Sequence, residues 1–330
     1  MSKIKSDVDT AGIPVPAHTV PVPAAVSPQA QAFLSQRMEE GPLPDVKDKN
    51  AWREFIAQGN GFLTQVLASA AEPYPAEVIE HKLGEVVVYE VKPQTLDPDY
   101  VDSAILYCHG GAYIHGAGMA GVYMGQPLAG QAHMRMFCVD YRMPPDHPFP
   151  VGLDDAVATY RWLLERYQPQ KLVVGGGSAG GGLAAALVLK VRDLGLPLPG
   201  ACLLVSPEAD LTESGDTFET NIYNDVVLTR RLTESIALYS DGHDLKDPYL
   251  SPLFGDFSRG YSPTLLTSGT RDAFLSNTVR FHRALLKAGI EAELHVWEAM
   301  PHGGFFGAPE DQEVVAQQVK FIRKKLSKNK

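Results

Sequence analysis

The chain contains 330 residues, of which 39 are acidic and 29 are basic, and its formal net charge at pH 7 is -10. Because an excess of negative charge repels polyanions, we expect neither nucleic acid nor an anionic membrane as a partner. The sequence shows no apolar stretch of about 20 residues that could cross a bilayer and no apolar export segment near its start, which predicts a cytoplasmic protein.

The first 71 residues divide into two parts. Residues 1–28 carry five prolines among small side chains, and this composition favours an extended or irregular lead-in that is poorly structured. In residues 29–71 the apolar side chains recur at helical spacing, which predicts two or more amphipathic helices. These side chains are Phe33, Leu34, Met38, Trp52, Phe55, Ile56, Phe62, Leu63 and Leu67.

From residue 72 onward, short β-branched runs alternate with longer helical patterns. This alternation is typical of an α/β fold with a mostly parallel sheet and helices on both faces. The eight predicted strands are VIEHK, EVVVYEV, AILYC, RMFCVDY, KLVVG, ACLLVSP, TLLTSG and AELHVWE, with the first two forming a hairpin through Gly84. Helical patterns fall at residues 154–167, 179–194, 273–288 and 312–326.

An insertion at residues 211–262 separates the ACLLVSP and TLLTSG runs. It is longer than a simple crossover requires, and its residues 228–239 have a helical pattern. In a wound sheet such an insertion leaves from the carboxyl edge of the strands, where ligands bind. We therefore expect it to cover the functional site.

A G-x-S-x-G pattern occurs at Gly176-Gly177-Ser178-Ala179-Gly180. An apolar β run leads into it and an Ala/Leu-rich helical pattern follows, which is the strand, tight turn and helix of a nucleophile elbow. We expect Ser178 to be the nucleophile and the N–H of Ala179 to face developing negative charge. The alternative is a phosphate-binding loop, but the segment fits neither of the common glycine-rich phosphate patterns.

A second glycine-rich segment, His109-Gly110-Gly111-Ala112, follows the AILYC run. Acyl transfer places charge on a carbonyl oxygen, and small residues let backbone N–H groups approach that oxygen. We assign these donors to Gly111 and Ala112, and we expect His109 to hold the loop. The alternative is a plain tight turn.

Together these segments resemble the hormone-sensitive-lipase-like esterases, a branch of the α/β-hydrolases, from about residue 104 to the C-terminus. The likeness also rests on Asp140-Tyr141-Arg142, Pro145-Asp146-His147-Pro148-Phe149-Pro150, Asp154-Asp155, Asp247-Pro248-Tyr249-Leu250-Ser251-Pro252-Leu253 and Met300-Pro301-His302-Gly303. It implies an α/β-hydrolase catalytic domain over residues 72–330. It also implies a helical cap, formed by residues 29–71 and by the insertion within 211–262.

The same resemblance implies a serine carboxylesterase that acts on short- to medium-chain acyl esters, and a homodimer by analogy with related bacterial enzymes. Apolar residues of the expected cap are candidates either for pocket walls or for the core of the cap. These residues are Phe33, Leu34, Phe218, Ile222, Leu238 and Tyr239.

Two positions depart from the family pattern. Gly177 stands where the family usually has Asp, and Ala112 stands where it often has a third glycine.

The general base is expected late in the chain if the order is Ser, acid, His. His302 follows the last predicted strand, and the neighbouring Pro301 and Gly303 place it on a loop. His295, in mid-strand, and His282, in a helix, are expected to be structural.

Asp272 follows the TLLTSG run at the same edge of the sheet, where the family has its acid. We expect its carboxylate to orient His302 and to stabilise the imidazolium that forms during attack. Asp244, Asp247 and Glu298 are its rivals.

The chemistry assigned here needs no cofactor, and no metal-binding pattern occurs in the sequence. Cys108, Cys138 and Cys202 lie in apolar runs, which predicts inert buried thiols. A lactone or amide hydrolase with the same residues is one alternative function. A small-molecule receptor without catalysis is an alternative of a different class, whereas a nucleotide enzyme would need a phosphate loop and a ribose-binding acid.

Overall fold

An eight-stranded, mostly parallel sheet forms the centre of the molecule in the computed structural model, which describes residues 12, 15–37 and 41–327. The bounds of its strands are Ala76–Leu83 (β1), Val86–Pro93 (β2), Ala104–Cys108 (β3), Arg135–Asp140 (β4), Leu172–Gly177 (β5), Ala201–Val205 (β6), Thr264–Gly269 (β7) and Ala292–Trp297 (β8). The strands lie in the order β1-β2-β4-β3-β5-β6-β7-β8. Strands β1 and β2 form the predicted hairpin, β2 runs antiparallel to β4, and the remaining pairs are parallel.

Helices cover both faces of this sheet. Their bounds are Pro28–Leu34 (α1), Lys49–Ala71 (α2), Met119–Ala132 (α3), Val151–Leu164 (α4), Ala179–Asp193 (α5), Thr217–Thr220 (α6), Thr233–Ser240 (α7), Leu275–Lys287 (α8) and Pro309–Leu326 (α9). Apolar side chains of α4, α5 and α8 form one core with one face of the sheet. Those of α3 and α9 form a second core with the other face. The predicted layered α/β architecture is confirmed.

Residues 1–11, 13 and 14 of the predicted lead-in lie outside the described residues, as does Met38. Residues 15–27 are described, and they contain neither helix nor strand. The end of this segment is nevertheless bound to the catalytic domain. The N–H and Oγ–H of Ser27 donate to the Glu310 carboxylate at 2.7 and 2.8 Å, and Val26 is buried in a cluster with Met300 and Phe305.

Helix α3 was not expected from the sequence. It contains Pro127 and several glycines, which lower intrinsic helix propensity. Tertiary packing explains its formation, because the helix lies so close to the sheet that a Cβ at Gly125 would be 2.5 Å from Met136 Sδ. The absence of a side chain at Gly125 therefore permits the close contact.

The helix predicted over residues 228–239 is shorter than expected, since α7 begins only at Thr233. The preceding N–H groups are bound by carboxylates rather than by helical carbonyls. Val227 and Leu228 donate to Asp225 at 2.9 and 3.1 Å, and Leu232 donates to Glu213 at 2.9 Å. Side-chain acceptors of this kind compete with helix formation.

The turn between β5 and α5 packs directly against the end of β3. A Cβ at Gly180 would lie 2.1 Å from the carbonyl oxygen of Cys108 and 2.3 Å from that of His109, both of which are backbone atoms. A Cβ at Gly177, by contrast, would have its nearest non-neighbouring heavy atoms at 3.8 Å. Position 180 therefore has no room for a side chain, whereas position 177 has room for a methyl group.

We expect Gly180→Ala to lower the free energy of unfolding by about 3 kcal/mol, because backbone on both sides must move. Gly177→Ala is the matched control and should change it by less than about 1 kcal/mol. Urea denaturation followed by circular dichroism measures both. Equal stability of the two variants would show that the turn is not closely packed.

Candidate active site

Ser178 lies at the tip of the turn between β5 and α5, with φ 56° and ψ -126°. This conformation is unfavourable for a residue with a side chain and needs support from its surroundings. The Ser178 N–H donates to the Val205 carbonyl at 2.9 Å. The Ser178 carbonyl accepts from the N–H groups of Gly182 and Glu208, each at 3.0 Å. Local hydrogen bonds thus fix the serine on both sides.

The structure brings Ser178, His302 and Asp272 together. The distance from Ser178 Oγ to His302 Nε2 is 2.8 Å, and that from His302 Nδ1 to Asp272 Oδ1 is 3.0 Å. Each residue follows a parallel strand of the sheet, so all three lie at its carboxyl edge. His302 is 7% exposed and Asp272 is fully buried, so the contacts are shielded from solvent.

The Asp272 carboxylate is bound on both oxygens. Ser268 Oγ–H donates to Oδ2 at 2.6 Å, and the Phe274 N–H donates to Oδ1 at 2.8 Å. Burial alone would raise the pKa of Asp272. The net shift is downward, because the charge and hydrogen bond of His302 and the hydrogen bond from Ser268 together outweigh burial. Asp272 is therefore ionised at neutral pH.

The pKa of His302 shifts in the opposite direction to that of Asp272. Burial acts to lower the pKa of its imidazole, but Asp272, followed by Asp225, outweighs burial and raises that pKa above its usual value. The neutral ring needed to accept a proton therefore forms at a higher pH than for an isolated histidine.

Asp225, in the insertion, supports both loops that carry these side chains and was not predicted. Its Oδ2 accepts from the His302 N–H at 3.1 Å and from the Ala273 N–H at 3.0 Å. Burial raises the pKa of Asp225, and the nearby His302 opposes this rise. No sequence pattern marks Asp225, because its partners are main-chain groups distant in the sequence.

The rival acids have local partners. The carboxylates of Asp244 and Asp247 accept from the N–H groups two residues ahead of each, at 2.9 and 2.8 Å. Glu298 is exposed. Among the described contacts, His302 Nδ1 is hydrogen-bonded to Asp272.

Glu208 is a second buried acid near the site that the sequence analysis did not identify. Burial, and then Glu213, raise its pKa to about 8, while His302 opposes the shift. Both of its carboxyl oxygens are buried and have no hydrogen-bond partner in the described part of the chain. Glu208 is thus mostly protonated at neutral pH.

The loop that carries two of the predicted oxyanion donors, Gly111 and Ala112, lines the same cavity as the serine. A Cβ on Gly110 would lie 3.3 Å from Ser178 Cβ, which places the loop against the nucleophile. Gly111 and Ala112 have φ values of 119° and 53°, and the Gly111 carbonyl accepts from His115 N–H at 2.8 Å. Across the described residues, the N–H groups of Gly111, Ala112 and Ala179 donate to no protein acceptor. They are available to a ligand oxygen.

The three histidines expected to be structural make ring-stacking or main-chain contacts. His109 is buried, lies stacked on Tyr141 with ring centroids 4.2 Å apart, and hydrogen-bonds the Gly110 carbonyl at 2.9 Å. Burial lowers the pKa of His109. His295 stacks on Trp297, and His282 contacts the Ala292 carbonyl at 3.4 Å.

A cavity of about 700 Å³ opens onto Ser178 and His302. Its walls include Phe55, Leu63 and Leu67 from α2 and Val227, Leu228 and Leu232 from the insertion. None of the six apolar residues named from the sequence as pocket wall or cap core lines this cavity. They pack against other apolar side chains instead. For example, Phe218 and Ile222 cluster with Phe274, and Tyr239 stacks on Tyr113.

The cysteines are free and buried, as predicted. Across residues 12, 15–37 and 41–327, no group of three or more His, Cys, Asp or Glu side chains is arranged to hold a metal ion. In the same residues, no helix has both the length and the apolar character that crossing a membrane requires.

Comparison with known proteins reveals similarity over most of the chain. A family described as the alpha/beta hydrolase fold matches residues 105–306. An acetyl-hydrolase of Streptomyces hygroscopicus is 34% identical over 230 residues, which make up 69% of this chain and 75% of the relative.

Two solved structures extend the similarity to nearly the whole fold. The esterase E25 superposes with a TM-score of 0.89 at 33% identity, covering 96% of this chain and 99% of its own. An esterase of the bacterial hormone-sensitive lipase family gives a TM-score of 0.77 at 30% identity, with coverages of 92% and 100%.

We expect Asp225→Asn to lower the free energy of unfolding by about 2 kcal/mol, because its buried N–H partners lose an acceptor oxygen. The matched control is Asp244→Asn, an exposed carboxylate of the same insertion, which should change stability by less than about 0.5 kcal/mol. Thermal and urea unfolding measure both variants. An unchanged stability of Asp225→Asn would mean that Asp225 does not hold the two loops.

Proposed function

Because the chain belongs to the α/β-hydrolase fold family and to its bacterial hormone-sensitive-lipase branch, we propose that it hydrolyses carboxylic esters at Ser178. The fold class and the resemblance expected from the motifs are thereby confirmed. The observation that carries the site assignment is the continuous hydrogen-bonded path from Ser178 Oγ through His302 to Asp272. These three side chains act as nucleophile, general base and orienting acid.

In the acylation step, Ser178 Oγ attacks the ester carbonyl carbon and transfers its proton to His302 Nε2. Asp272 accepts the Nδ1–H, which fixes the tautomer and stabilises the resulting imidazolium. His302 then donates this proton to the leaving alcohol as the carbon–oxygen bond breaks. The products of this step are the free alcohol and an acyl-enzyme on Ser178.

In the deacylation step, a water molecule replaces the alcohol. His302 accepts a proton from this water, whose oxygen attacks the acyl carbon. The proton then returns to Ser178 Oγ as the acid is released.

The negative charge of both tetrahedral intermediates is placed among the N–H groups of Gly111, Ala112 and Ala179. Preorganised donors of this kind stabilise the transition state without reorganisation during the reaction. The replacement of glycine by alanine at position 112 leaves this role possible, because the donor is a main-chain group.

The largely apolar cavity suits short- to medium-chain acyl esters.

We also propose, as expected from the sequence, that the protein is cytoplasmic and forms a homodimer. The homodimer predicts twice the monomer mass in light scattering, and a monomer mass at micromolar concentration would overturn it.

We expect Ser178→Ala to reduce hydrolysis of p-nitrophenyl acetate and butyrate by at least about 1,000-fold, because the attacking oxygen is lost. The matched control is Ser235→Ala, since Ser235 lines the same cavity but donates to the Leu232 carbonyl instead of to His302. Circular dichroism verifies the fold of both variants. Near-normal turnover by Ser178→Ala would refute the nucleophile, and faster wild-type turnover of a lactone or an anilide would refute the ester preference.

The value of kcat/KM should rise with pH as His302 deprotonates, because only the neutral ring accepts the serine proton. Since the nearby carboxylates raise the pKa of His302, the midpoint is expected above about 6.5. Asp272→Asn removes the negative charge beside the ring, so the midpoint should move to lower pH. The same substitution should reduce kcat about 1,000- to 10,000-fold.

Rate profiles between about pH 5 and 9 test this expectation, with Asp244→Asn as the surface control. A wild-type rate that does not change with pH would contradict a histidine base. An unchanged midpoint in Asp272→Asn would contradict the proposed source of the shift.

A further inference from the structure

Strand β5 ends in three glycines directly before Ser178, so this end of the strand carries no side chains. Successive residues of a strand point to opposite faces. Val173 belongs to the core beneath α3 and α9, so Gly175 and Gly177 point to that same face. At the last two positions of this face, the central strand therefore exposes only backbone.

The neighbouring strands form the sides of this depression. Tyr107 of β3 and Leu203 of β6 pair with Gly175, and Val205 of β6 pairs with Gly177. A Cβ built on Gly177 would have Tyr107 Oη and Val205 Cβ as its nearest neighbours, both at 3.8 Å. The space in front of Gly177 is thus open, although the residue lies directly before Ser178. We call this depression, with its floor at Gly175 and Gly177, the glycine trough.

Two helices cover the glycine trough. Tyr123, Met124 and Pro127 of α3 and Val315 and Gln318 of α9 line the same cavity as Gly177, Ser178 and His302. The cavity therefore continues from the nucleophile into the space between α3 and α9. Its walls there are mainly apolar, as required for burying a hydrocarbon chain.

We propose that the glycine trough binds the extended apolar chain of the ester while its carbonyl lies at Ser178. This proposal rests on the proposed esterase function and specifies its substrate. Gly177 is then a specificity-determining residue, because a side chain at this position would close the entrance to the trough. Each methylene that enters the trough should raise kcat/KM by up to about fourfold.

Two substitutions close the trough at different points. Gly177→Val adds a side chain directly before Ser178, and Val315→Phe enlarges a cavity-lining side chain on α9, an element separate from the elbow. The matched control is Val319→Phe, one turn further along α9, because Val319 is partly buried in the same core but does not line the cavity. The second variant keeps the test valid if Gly177→Val disturbs Ser178 or fails to fold.

Two substrate series test the proposal with each protein. One varies the acyl chain of p-nitrophenyl esters from acetate to dodecanoate, and the other varies the alcohol chain of n-alkyl acetates. For Val315→Phe we expect the ratio of kcat/KM for the longest chains that wild type accepts to kcat/KM for acetate to fall by about tenfold or more. Gly177→Val should shorten the preferred chain further, while Val319→Phe should leave the profile unchanged.

A change confined to the acyl series supports the trough as the acyl site, and one confined to the alcohol series supports it as the site of the alcohol chain. Unchanged chain profiles in both Gly177→Val and Val315→Phe would overturn the proposal, as would an equal change in Val319→Phe. If wild type hydrolyses acetate esters while the profiles stay unchanged, the trough alone fails. If wild type hydrolyses no ester, the proposed function fails and the trough proposal fails with it.

Discussion

The backbone of Ser178 adopts a positive φ that costs a residue with a side chain on the order of 1–3 kcal/mol. Close packing maintains this conformation, because Gly180 brings the start of α5 against the carbonyls at the end of β3. Hydrogen bonds to the N–H and carbonyl of Ser178 hold it on both sides. The elbow conformation places Oγ 2.8 Å from His302 Nε2, and the proposed proton transfer depends on that short distance.

The charges around His302 are distributed unequally. Asp272 is ionised and contacts the ring, whereas Asp225 contacts the main chain of the same residue. Glu208 has a pKa of about 8 and adds little negative charge at neutral pH. The imidazolium is thus stabilised mainly from one direction, through Nδ1, and this leaves Nε2 oriented toward the serine. The same arrangement explains why the pKa of His302 rises although burial of the ring acts to lower it.

The alternating strand and helix patterns were sufficient to predict the sheet, and the strand-turn-helix context of Ser178 was sufficient to predict an elbow. Helix α3 escaped prediction because its glycines and Pro127 are compensated only by packing on the sheet. The role of Asp225 escaped it because that side chain binds main-chain N–H groups 48 and 77 residues away. The cavity walls could not be assigned either, since periodicity identifies a buried face but not the neighbour that buries it.

The bonds of Asp225 have a consequence for how the enzyme could be reshaped. Segment 225–228 of the insertion is tied to the loops of both Asp272 and His302, so it cannot swing outward as a rigid lid without loosening them. Any outward motion of the insertion that keeps the base in place must then leave residues 225–228 where they are. An insertion grafted from a relative would bring new cavity walls. Unless it also carried an acceptor at this position, however, the exchange would remove part of the scaffold that holds the base.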